Sequence, residues 1–154
     1  MTQGSISSDI TRPGRVVHLA LTAGIFVYAL AVELCESQLA PFEGFVPEIG
    51  VLGVLRVILA LAGLADLGVA FLFLWRPHLV RAVGAAFVLA YASLESTAIY
   101  GLVLFLLGGR RLDFYLFATP ALVSLLLLWT QADRWDELVA LEQHDLETTG
   151  EWYD

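Results

Sequence analysis

Four long apolar runs separated by short polar breaks set the pattern of this chain, over residues 16–36, 49–75, 80–107 and 112–130. Each is about as long as the roughly 20 residues that a helix needs to cross a ~30 Å hydrocarbon layer. The pattern predicts an all-α, polytopic membrane protein with four transmembrane helices in one domain. Pro41, Gly44 and Pro47 break helicity between the first two runs, and Phe42 and Phe45 in that loop suit the membrane interface. In the fourth run, Thr119-Pro120 predicts a kink, and Ser124 can bond back to the backbone. After it, Trp135, Leu138 and Val139 repeat at helical spacing, which predicts a short amphipathic helix from Asp133 to about Leu146. Its other face is acidic, which suits a protein partner better than anionic lipid. The expected division is a polar tail over residues 1–14, a transmembrane domain over 15–131 and an acidic tail over 132–154.

Composition sharpens this picture. The hydrophobic share is 58% and the mean hydropathy +0.76, above the ~45–50% apolar content of soluble domains. All eight basic residues are arginines, and nearly all stand at the ends of apolar runs. Arg12, Arg15, Arg76, Arg81 and Arg134 fall on one side of the membrane, against Arg110 and Arg111 on the other, so both termini are expected in the cytoplasm. The expected location is the cell inner membrane, with lipid as the surrounding partner. The net charge of -8, concentrated in the C-terminal tail, argues against binding nucleic acid. The single cysteine, Cys35, excludes an intrachain disulfide and a cysteine-based metal cluster.

Polar side chains inside the apolar runs are the candidate chemistry. Glu95 lies near the middle of the third run, where an ionised carboxylate costs at least ~2.5 kcal/mol. It should face protein or water, be paired, or carry a proton. Ser96 and Tyr91, with Ser93 and Thr97, supply hydroxyls that can satisfy it. Ala86, Ala90, Ser93, Thr97 and Gly101 form a small-residue seam on which another helix can approach closely, and Glu95 sits roughly opposite. That leaves Glu95 facing lipid or a neighbouring subunit if the seam packs inward, and in the core if the other face does.

Arg56 and Asp66 share one small-residue face of the second run, and His18, Thr22, Ile25, Ala29 and Glu33 form a stripe on the first. Arg56 is expected to pair with Glu33 or Glu95, and His18 with Asp66. These four residues, Arg56, Asp66, Glu33 and His18, make a candidate intramembrane charge network. His18, His78 and His144 have no metal-ligand spacing, and no phosphate loop, nucleophile elbow or Cys-His pair is present. No cofactor, metal or catalytic residue is expected, and an enzyme is not.

The run Leu94, Glu95, Ser96, Thr97, Ala98, Ile99, Tyr100, Gly101, Leu102, Val103 resembles the carboxylate-bearing helix of the rotary ATPase proteolipid, the ring-forming c subunit. The turn Arg76-Pro77-His78-Leu79 is similar to the polar loop of that hairpin. The resemblance implies that Glu95 binds a proton or sodium ion, with hydroxyls and carbonyls completing the site. The four spans, with the Gly-Leu-Val run and the Gly-Gly turn, also look like a class of small, uncharacterised bacterial four-helix membrane proteins. Two functional expectations follow: an ion-binding, proteolipid-like protein, or a non-catalytic structural or accessory subunit. Either implies a homo-oligomer or a place in a larger membrane complex.

Overall fold

The computed structural model describes residues 13–39, 42–45, 49–76, 83–108, 110–131 and 137. It is all-helical over these spans: α1 (Pro13–Gln38), α2 (Ile49–Trp75), α3 (Val83–Gly108) and α4 (Arg111–Trp129). All four are long and apolar enough to cross a membrane. The expected amphipathic helix near the C-terminus lies outside the described residues. The first helix starts at Pro13, inside the expected polar tail, because a proline at the first helical position gives up an N–H that would be unpaired there anyway.

α3 is the central element, packed extensively against α2 and α4 and touched by α1. α1 rests on α3 and α4 and meets α2 at most marginally. This explains the composition of α3, which is apolar nearly all round. Ala86, Ala90, Thr97 and Gly101 of the small-residue seam are buried, and so are Tyr91, Leu94, Ala98 and Phe105. The seam and the neighbouring face therefore both pack inward.

The tightest crossing is at Gly101, where a Cβ would stand 2.8 Å from both the Phe114 carbonyl oxygen and Phe117 Cβ of α4. Only a residue without a side chain lets the two backbones approach so closely. On α2, Gly63 faces Phe117 and the Thr97 methyl. α4 runs as one helix through Pro120, which lines an apolar groove of about 280 Å³ between α2 and α4.

The first loop folds over the end of α3. Gly44 adopts a left-handed φ of 80°, which lets the Phe45 N–H donate to the Leu106 carbonyl at 2.9 Å and supplies a donor to the last turn of α3. Phe42 packs on Phe105 with ring centroids 5.2 Å apart, while the Phe45 ring stays exposed.

Candidate functional site

Ionisable side chains and tyrosine hydroxyls within the helices form interhelical pairs at three depths. At the end bearing the first loop, Arg56 of α2 meets Asp113 in the first turn of α4. Arg56 Nη2 donates to Asp113 Oδ2 at 2.7 Å, and Nε donates to the two carboxylate oxygens at 3.0 and 3.1 Å. The Asp113 carboxylate also sits where the exposed N–H groups of a helix start favour negative charge. Nearby, Tyr115 donates to Glu33 at 2.7 Å, and Arg111 pairs with Glu33 at 3.5 Å and with Glu36.

This corrects the expectation for Arg56, whose partner is neither Glu33 nor Glu95. Charge pairing inside lipid takes the nearest opposite charge, and α1, which carries Glu33, docks on α3 and α4 rather than against α2. Asp113 is hard to find in the sequence because it sits at the border of an apolar run, where an acid reads as a helix-start residue. An acid in a first turn, level with an arginine on a neighbouring helix, is the signal that could have found it.

At the opposite end His18 is buried, with Nδ1 3.0 Å from the Tyr91 hydroxyl and its ring 4.7 Å from that of Trp129. The Arg15 guanidinium lies over Trp129, 5.9 Å from the ring centre. The expected His18–Asp66 contact is absent, again because α1 and α2 meet at most marginally.

In the middle, Glu95 is half-buried and accepts a hydrogen bond from Tyr28 of α1 at 3.1 Å. Gly24 of α1 lies alongside, where a Cβ would make an ordinary contact with Glu95 Oε1 at 3.8 Å. The hydroxyls expected beside it are committed elsewhere: Ser96 and Thr97 donate to the carbonyls of Ala92 and Ser93, and Tyr91 is bonded to His18. Tyr28, which lies off the polar stripe of α1, was not singled out in the sequence. Among the described residues, no arginine forms an ion pair with Glu95. On the other side of α3, Asp66 of α2 stands beside the Tyr100 hydroxyl, and its Oδ2 is buried without a hydrogen-bond partner.

The four residues of the expected charge network therefore do not meet one another: Arg56 is bonded to Asp113, Glu33 to Tyr115 and Arg111, and His18 to Tyr91, while Asp66 stands beside Tyr100. Each of these pairs joins two different helices. Among the described residues, no cluster of three or more His, Cys, Asp or Glu side chains can hold a metal ion. No family model, curated protein or solved structure matches the chain.

Proposed function

We propose that this chain is a non-catalytic, multi-pass membrane protein that serves as a structural or accessory subunit of a larger membrane assembly. The observation that carries this reading is the use of its intramembrane polar groups. Arg56–Asp113, Glu33–Tyr115, Tyr28–Glu95 and His18–Tyr91 each join two helices, as groups that fix helix pairing do. Purification of the full chain in mild detergent tests it. Foreign subunits at fixed stoichiometry are the expected result, and a chain recovered alone or as a homomeric ring overturns it.

A second reading is favoured by one specific observation. Arg56, the cation expected to hold Glu95 ionised, is bonded to Asp113, which leaves Glu95 with the neutral Tyr28 hydroxyl. A carboxylate so placed can bind a proton or cation, as the resemblance to the rotary ATPase proteolipid suggests. Under this reading a hydrophobic carbodiimide, which attacks protonated carboxyls within membranes, modifies Glu95, and Glu95→Gln folds normally and abolishes the modification. Absence of labelling on the wild-type chain removes it.

In either case the arginine distribution orients both termini to the cytoplasm of a cell with the chain in its inner membrane. A cysteine at Gly44, with Cys35 replaced, is then labelled by an impermeant reagent from outside. Labelling from the cytoplasmic side alone inverts the orientation.

A further inference from the structure

α1 and α2 flank α3 without closing over it, and a strip of α3 remains uncovered between them. Ala85, Val88, Leu89, Ala92, Ile99 and Val103 are exposed there. At 100° per residue this strip occupies one sector of the helix, with Glu95 on its margin toward α1 and Tyr100 on its margin toward α2. Each margin carries a carboxylate near a tyrosine: Glu95 accepts from Tyr28, and Asp66 stands beside Tyr100.

The two carboxylates also lie at the same depth. Gly63 opposes Thr97 and Leu52 opposes Gly108, so the antiparallel register puts Asp66 level with Leu94. That is within about 1.5 Å of the depth of Glu95. Glu95 stands ~18 Å from one end of α3 and ~20 Å from the other, close to the bilayer midplane. Among the described residues no cation pairs with either carboxylate, although the three other membrane-helix acids, Glu33, Glu36 and Asp113, all have arginine partners.

We infer that the α1–α2 cleft is the docking surface for one transmembrane helix of a partner protein, and that this helix carries a basic side chain at mid-span between Glu95 and Asp66. Charge complementarity selects this occupant. Two acids at one depth with no cation beside them are costly against lipid and favourable against an arginine or lysine. Asp66 Oδ2, buried without a donor, marks a hydrogen-bonding position still to be filled. The steric side agrees: Ala85 and Ala92 on α3, with Gly24 on the facing side of α1, leave backbone within reach of an incoming helix. An apolar helix would gain packing there and leave both carboxylates uncompensated.

The inference rests on the subunit reading and names the partner's chemistry. The test uses the full chain in lipid vesicles, with a donor fluorophore on a cysteine at Gly44 and Cys35→Ser. The probes are synthetic leucine-alanine transmembrane helices, acceptor-labelled, with either arginine or leucine at the midpoint. The arginine helix is expected to associate at least about tenfold more tightly than the leucine helix. That preference should vanish in Glu95→Gln/Asp66→Asn and persist in Glu33→Gln, whose carboxylate faces α4 instead. Ala92→Leu, which fills the strip without touching a charge, should weaken both helices alike. Equal association of the two probes, or a preference that survives the double variant, overturns the inference. Self-association of the chain that is blocked by Ala92→Leu and indifferent to the arginine helix gives the cleft to a second copy and also overturns it. In native purification, foreign subunits fully retained by Glu95→Gln/Asp66→Asn keep the subunit reading and remove the cleft. A chain that purifies alone yet prefers the arginine helix removes the reading and keeps the cleft chemistry.

Discussion

Where α4 crosses α3, the contact is between backbones, with Gly101 against the Phe114 carbonyl and the Phe117 Cβ. Where α1 crosses α3 and α4, polar side-chain ends join the apolar packing of Leu21, Ala29 and Cys35: His18 to Tyr91, Tyr28 to Glu95, Glu33 to Tyr115 and Arg111. Ile25 and Val32 are the hydrophobic residues of α1 that are buried outright. The contrast follows from the solvent. Lipid tails are as apolar as leucine, so burying leucine between helices gains little, and association must come from close packing or from polar bonds. The α3–α4 crossing uses the first means, and the α1 crossings add the second. Close packing depends on shape and fails when an atom is added, whereas a polar seam is divided among several modest bonds and weakens by steps.

The largest expected effect is at the close-packed seam. Gly101→Leu must push α4 away from α3, and a loss of about 3 kcal/mol or more is expected, measured by unfolding in mixed detergent micelles. A glycine replacement at Gly53 or Gly68, where a Cβ meets nothing within 4 Å, is the control. Gly53→Ala or Gly68→Ala should leave stability unchanged or raise it by up to about 1 kcal/mol through helix propensity. A comparable loss at Gly101 and Gly68 would show that backbone approach does not govern the α3–α4 crossing.

Arg56→Leu comes next, because it strands the Asp113 carboxylate, whose side chain is only 12% exposed. A loss of about 2–3 kcal/mol is expected, reduced from that of a fully buried pair by the 28% exposure of Arg56. Adding Asp113→Leu should recover part of the loss, and adding Glu33→Gln or Glu95→Gln should recover none. Recovery through Glu95 instead would move Arg56 out of the α2–α4 contact.

At the polar seam the steps should be smaller. Tyr28→Phe, Tyr91→Phe and Tyr115→Phe each remove one hydroxyl from the α1 contacts, and each should cost about 0.6 kcal/mol in the same unfolding assay. Their combination should approach additivity, since the three sites stand at different depths. A single tyrosine change as damaging as Gly101→Leu would erase the distinction between the two seams.

Smallest of all is Ser96→Ala. Its hydroxyl donates to the Ala92 carbonyl of its own helix at 2.9 Å and holds no other helix, so stability should stay within about 0.5 kcal/mol. The Glu95–Tyr28 contact should survive as well, read as unchanged sensitivity of stability to Tyr28→Phe in the Ser96→Ala background. Loss of that sensitivity would return Ser96 to the surroundings of Glu95.

The helices follow from local chemistry along the chain. A run of apolar residues long enough to span lipid must be helical, since every backbone N–H and C=O needs a partner there, and this requirement is local to each run. It accounts for the close agreement of the runs at 49–75 and 112–130 with α2 (Ile49–Trp75) and α4 (Arg111–Trp129). It also accounts for Gly101, since a glycine in a small-residue seam announces close approach before the approaching helix is known. Tertiary structure alone decided the pairing. Arg56 has several acids within reach along the chain, and only the placement of α4 beside α2, with α1 kept away from α2, selects Asp113. Tyr28 rather than Ser96 or Tyr91 reaches Glu95 because the choice depends on how α1 is rotated against α3. Periodicity states which residues share a face of one helix. It carries no information on which face of another helix stands opposite, and in a membrane, where most faces are apolar, that selection is made by packing shape and by a few polar contacts.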